Sequence, residues 1–121
     1  ETTIEPVEQG TNLAAARLPE VDILAHPGLL SPEEANLAAA NDIFIEITSR
    51  KGHSVTNAHV ARVACAAGAK LLLNSDAHDE GDLLSVNLAK NALQGINLAE
   101  NKVNETLESN PAILLRKLKK L

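Results

Sequence analysis

Three short aliphatic runs, at residues 21–25, 43–47 and 70–74, limit what this 121-residue chain can become. Each is nearly continuous in Val, Ile, Leu or Phe, with little polar alternation, the pattern of parallel strands buried on both faces. They start roughly 25 residues apart, close to the ~30-residue repeat of a βαβ unit. Helix patterns fill the gaps. Ser31-Pro32-Glu33-Glu34 supplies an N-cap, a proline for the first helical position and two acids for the first turn, so a helix is predicted to about Asn41. Between residues 56 and 67, Val60, Val63, Ala64 and Ala67 form one apolar stripe, and Gly68 is placed as a C-cap. Crossover helices make the strands parallel, so their C-terminal ends share one edge, where α/β folds gather ligands.

The flanks are less regular. Residues 2–7 read as weakly extended, with Pro6 confining them to an edge or a loop, and Thr11 or Asn12 caps a short helix to about Leu18. After the third strand, helices are predicted from Gly81-Asp82 to about Gln94, from Asn97 to about Glu108, and from Asn110-Pro111 onward. In the last of these Leu114, Leu118 and Leu121 share a face, and Arg116, Lys117, Lys119 and Lys120 form a solvated basic end that suits the helix dipole.

Chemistry-bearing residues sit on the predicted strand ends. His26 follows the first strand, Glu46 lies one residue before the end of the second, and Asp76 and His78 follow the third. On an extended strand, residues i and i+2 face the same way, so Asp76 and His78 are expected to aim at one point. Carboxylate and imidazole together suit Zn, Mn or Fe. For Asp76 alone the bland alternative is the cap of the next helix. A His, an Asp and a His at the ends of parallel strands favour a metal site. His59, inside a helix, reads as structural, and Asn57 and Asp79 have no assigned role.

Composition narrows the partners. A formal charge of −5 and a single aromatic residue, Phe44, argue against nucleic acid, which needs cationic and stacking surfaces. No apolar run approaches a membrane span. Cys65 is the sole cysteine and lies in an apolar helical pattern, so it reads as a small buried hydrophobe in a reducing, cytoplasmic setting. The chain begins Glu1-Thr2-Thr3 without Met, which raises the expectation of a piece of something longer.

Ala25-His26-Pro27-Gly28 and Asn74-Ser75-Asp76-Ala77-His78 resemble the third and fourth metal-binding motifs of the polymerase-and-histidinol-phosphatase (PHP) family. The stretch from Ile45 to Ser54 resembles the one between those motifs in small PHP phosphoesterases. The resemblance implies a distorted (β/α)7 TIM-like barrel, of which this chain would carry part. It also implies two or three divalent metal ions (Zn, Mn or Fe) at the strand ends and hydrolysis of a phosphate ester. Carried over, His26, Asp76 and His78 would be metal ligands. Glu46 would be a hydrogen-bonding acid behind them, and Arg50, Lys51 and His53 would grip substrate phosphate.

The family's first motif, a His-x-His, is absent, as is the bridging acid of its second region. The resemblance therefore implies that residues 1–121 are the C-terminal part of one PHP-type domain, the N-terminal part of the barrel being absent. Such a piece is expected to be inactive alone, to bind metal weakly, and to self-associate or need its missing half. The substrate would be a small phosphorylated molecule. Two alternatives stand beside this enzyme reading: a non-catalytic PHP-like scaffold or subunit that needs a partner, and an amidohydrolase-like barrel using the same strand-end ligands.

Overall fold

The computed structural model describes residues 7–119. The expected extended segment at residues 2–7 falls outside them but for Val7, as do Lys120 and Leu121. Strands β1 (Ile23–Leu24), β2 (Phe44–Thr48) and β3 (Leu71–Asn74) form one parallel sheet in the order β1-β2-β3. The fold is α/β, as the aliphatic runs predict. The sheet is open: among the described residues no strand pairs beyond β1 or beyond β3.

Helices α1 (Thr11–Ala16), α2 (Pro32–Ala40) and α3 (Asn57–Ala67) precede β1, β2 and β3, and α4 (Val86–Gly95) follows β3. The α2 start is the one its sequence dictates: Ser31 and Glu34 form a reciprocal capping box with Pro32 just inside. Gly68 closes α3 at φ 75°, a left-handed angle that a side chain resists. Val60 and Ala64 of the α3 stripe are buried, together with Ala61.

Pleating divides the sheet residues between two faces. Leu24, Ile45, Ile47 and Leu71 face a core completed by Ala16, Ala35, Ala38, Val60 and Leu93. On the opposite face Phe44 and Leu72 pack against Leu114 and Ile113. The register pairs Glu46 with Leu72 and Thr48 with Asn74, so this second face turns polar toward the C-terminal strand ends. The first face thus stays apolar along the sheet, and polar side chains collect at the C-terminal end of the second.

Several boundaries differ from expectation. β1 pairs over two residues only, because the next N–H of the ladder, that of His26, turns to the Glu46 side chain, with His26 at φ 29°. The N-cap of α1 is Gly10, with no side-chain cap, and Asn12 is instead buried with its amide donating to Pro27 O at 2.7 Å. After β3 a single tight turn (Glu80–Asp82) comes first, and α4 starts later, capped by Ser85 Oγ, which accepts from Leu88 N–H. Asn97 adopts φ 58° in the link that follows.

The two final helices are one. α5 (Glu100–Asn104) runs through a π-helical turn (Glu105–Ser109) into α6 (Asn110–Lys119). Asn110 does not open a helix: its buried amide donates to Leu71 O on the outer edge of β3 at 3.0 Å. Pro111, which lacks an N–H and crowds the preceding turn, follows the wider π turn without ending the helix. Among the described residues no helix is long and apolar enough to cross a membrane.

Candidate metal centre

Every side chain of the candidate centre hangs from the C-terminal end of a strand. β1 runs out at Leu24, and the chain turns sharply through His26-Pro27-Gly28. His26 itself has φ 29°, and Gly28 has φ 64°. A Cβ on Gly28 would lie 3.1 Å from Val7 Cγ2, so both the angle and the approach favour glycine. The Asn12 amide fixes the turn from behind through Pro27 O.

Glu46 on β2 secures His26 from the front. Its Oε2 accepts the His26 N–H at 2.8 Å, and its Oε1 accepts from the Asn74 side-chain amide at 2.9 Å. At 7% exposure, one carboxylate thereby ties the end of β1 to the end of β3 across β2. Both oxygens are engaged in positioning neighbours, the geometry of an acid that supports ligands from behind.

Beyond β2 the loop is braced by Asn57, whose amide donates to Thr48 O at 2.7 Å and whose Oδ1 accepts Thr48 N–H at 3.3 Å. Thr48 Oγ1 accepts Arg50 N–H, and Arg50 O accepts N–H bonds from His53 and Ser54. Gly52, at φ 90°, turns the chain within that loop. The result brings His53 back over the sheet edge. Its ring stacks on His26, centroids 4.0 Å apart and planes 11° from parallel.

Asp76 completes the group. One donor atom from each of His26, His53 and Asp76 lies within 4.8 Å of the other two. Two imidazoles and a carboxylate are a fitting donor set for Zn, Mn or Fe. A single zinc ion holds its donors about 3.3 Å apart and lies in the ring planes of its imidazoles, so the stacked His26 and His53 rings would have to turn apart to share one ion. His26 Nδ1 is buried without a hydrogen-bond partner among the described residues, an arrangement that costs about 1–3 kcal/mol. A cation held at Nδ1 would remove that cost.

His78, expected as a ligand beside Asp76, is not in the group. Its Nδ1 contacts Asp76 O at 2.7 Å, and the ring is exposed. The expectation rested on strand alternation, but β3 ends at Asn74 and Asp76 turns to φ 49°, which breaks the alternation. His53, expected to grip phosphate, stands in the cluster instead. The signal that could have found it is the Gly52-His53 pair, a tight reversal delivering an imidazole. Because a carbonyl can only accept, neutral His78 carries its proton on Nδ1 and leaves Nε2 as an exposed acceptor.

Of the other basic candidates, Lys51 is exposed. Arg50 reaches across to Asp82, with Nη1 to Oδ2 at 3.4 Å. The same Oδ2 accepts N–H bonds from His78 at 2.9 Å and Asp79 at 3.3 Å. The His78 bond, then that of Asp79 and the Arg50 charge, hold the Asp82 carboxyl below the ordinary carboxylate range against some desolvation. Asp82 carries no motif, and sequence reasoning missed it. His59 is structural: Nε2 meets Leu30 O at 2.7 Å, and Nδ1 meets Arg62 at 3.1 Å. Cys65 is partly buried, and desolvation pushes its thiol up, as expected of an inert cysteine.

No protein-family model matches the chain. No solved structure matches it either. Over 118 residues it is 44% identical to an uncharacterized protein of Methanocaldococcus jannaschii, an alignment covering 98% of this chain and 54% of that protein. The chain therefore spans about half the length of this curated relative.

Proposed function

We propose that this chain carries part of the metal centre of a PHP-like, metal-dependent phosphoesterase acting on small phosphate monoesters. The observation that carries the reading is the convergence of His26, His53 and Asp76 donors within 4.8 Å, from the ends of three parallel strands. The three residues would hold a divalent ion. Such an ion supplies Lewis-acid stabilisation of phosphoryl charge and a water of lowered pKa.

The chain's own residues have assignable tasks. Glu46 sets the backbone of His26, and the His53 ring rests against the His26 imidazole, from which it would turn to share an ion. Arg50 lies on the same loop as His53, where its guanidinium suits a phosphate oxygen better than a carbonyl. That favours phosphate esters over the amides of an amidohydrolase-like reading. In this reading the open three-stranded sheet would be an arc of a (β/α)7 barrel, with the Glu46–Thr48 end of its second face turned inward beyond the Phe44–Leu72 part that α6 covers. Donors beyond these three, and one or two further ions, would come from the rest of such a barrel.

Manganese and zinc titrations of the full-length protein test the reading, run beside p-nitrophenyl phosphate hydrolysis. His26→Ala, His53→Ala and Asp76→Asn are each expected to weaken metal binding at least about tenfold and to abolish metal-stimulated hydrolysis. Unchanged metal affinity in all three variants would overturn the centre. Metal binding without hydrolysis of any phosphate ester would favour a scaffold or subunit role.

A further inference from the structure

We infer that Asp82 is a positioning residue that locks the two ligand-bearing loops to each other through Arg50, and that metal affinity depends on this lock. The inference rests on the metal-centre reading above and adds a residue to it. His53 and Asp76 both lie in irregular loops, where no strand ladder sets their mutual distance. His26, by contrast, is held by Glu46. The stack on His26 and the Ser49 N–H bond to Asn74 O bring the remaining two near each other, and a cation, which tolerates little error in donor placement, needs their loops fixed more closely than that.

The Arg50–Asp82 pair joins these loops. On one side Arg50 O accepts the N–H bonds of His53 and Ser54, and Arg50 N–H is tied to Thr48 Oγ1. The backbone of Arg50 is thus the pivot of the turn that presents His53. On the other side Asp82 Oδ2 accepts the N–H bonds of His78 and Asp79, closing the loop that begins at Asp76. The same oxygen receives the Arg50 guanidinium. One atom therefore gathers the backbone of one loop and the side chain of the other.

Exposed ion pairs contribute little to stability in general. Arg50 and Asp82 keep 29% and 34% of their side chains exposed, so their pairing adds little to global folding. Its consequence falls on the site, where a shift of about 1 Å in one loop separates the donors. That difference separates a lock from a mere turn cap. Asp79 already caps the Glu80–Asp82 turn by accepting Gly81 N–H.

A double-mutant cycle reads the lock. Asp82→Asn keeps an oxygen for the His78 and Asp79 N–H groups but removes the charge that holds Arg50. Arg50→Gln removes the other partner and leaves every backbone bond of Asp82 in place. In the full-length protein each single variant is expected to weaken manganese binding by about five- to tenfold. The double variant is expected to be no weaker than the weaker single, because both remove one interaction. Thermal midpoints in EDTA are expected to stay within a few degrees of the parent. Parent-like manganese affinity in Arg50→Gln, or effects that multiply in the double variant, would overturn the lock. His26→Ala, titrated alongside, separates the two levels. If it loses manganese while both lock variants keep it, only the lock falls. If it binds like the parent, the centre itself falls and the lock with it.

Discussion

His26 and Asp76 both hold positive φ, at 29° and 49°, and both offer donors to the same cluster. Left-handed backbone costs a non-glycine residue on the order of 1–2 kcal/mol, less for Asp than for most. Asp42 and Asn97 share such angles away from the site, so the angle alone assigns no role; under the metal-centre proposal two such residues at one site would be strain kept for function. Asp76→Gly should therefore separate stability from binding. In EDTA its stability is expected to equal the parent or exceed it by up to about 1 kcal/mol, while manganese affinity drops at least about tenfold. A loss above about 1 kcal/mol in EDTA would show that Asp76 is not strained. Glu46 allows a second residue-level prediction. Glu46→Leu strands the half-buried His26 N–H and is expected to cost about 1–3 kcal/mol there, while the exposed Asn74 amide can turn to solvent. Glu46→Gln is expected to be much milder, since the Asn74 amide can turn over and accept from the new donor; urea unfolding midpoints distinguish the two. Part of the candidate cluster was legible at this scale. His26, Asp76 and Glu46 were readable because each follows or ends an aliphatic run. His53 was read as a phosphate grip, and His78 was misplaced, because the φ of Gly52 and Asp76 decides both and no side-chain pattern announces it.

The elements came out of the sequence in proportion to how local their signals are. The capping box of α2, the αL glycine after α3 and the central strand are fixed by residues within a few positions, and they fall where expected. The C-terminal helix does not, because its register answers to the sheet. The π turn places Asn110 against the outer edge of β3, where it satisfies Leu71 O. Asn110→Leu, which keeps the bulk but leaves that carbonyl unpaired, is expected to cost about 1–3 kcal/mol in chemical denaturation. At the other end of the sheet Asp42, at φ 55°, joins α2 to β2. It pairs with Lys70 at 2.8 Å, and Lys117 donates to its carbonyl while pairing with Asp22. The Lys70 hydrogen bond holds the Asp42 carboxyl below its ordinary value of 3.8 against a smaller desolvation effect. A depressed folded value means stability that is present above the unfolded value and lost as pH falls through the folded one. Asp42→Asn should therefore flatten the acid limb of the stability curve below about pH 4 and change neutral stability by no more than about 0.5 kcal/mol, given the exposure of the pair. Thermal midpoints from pH 2 to 7 check this; an unchanged acid limb would remove Asp42 from the acid response.

At the scale of the whole molecule, the two edges of the sheet differ. The outer edge of β3 is partly occupied by Asn110, and α6 covers the Phe44–Leu72 face beside it. Beyond β1 no described strand pairs, and Ile23 stays 37% exposed there. An unpaired apolar edge invites another strand, and the chain spans about half of the curated relative it matches. Both facts favour pairing along β1, either with a second copy or with strands of a longer protein. Sedimentation velocity from low to high micromolar concentration measures this for residues 1–121 alone. Reversible association is expected, and Ile23→Lys, which sets a charge on the edge without touching the core, should return the chain to a monomer. Covalently supplying the rest of the full-length protein should abolish association in the same way if barrel strands take that edge. A parent chain that stays monomeric throughout, with unchanged behaviour in Ile23→Lys, would mean that the β1 edge is already satisfied. The proposal that the sheet is an arc of a barrel would then fall, independently of whether His26, His53 and Asp76 bind a metal ion.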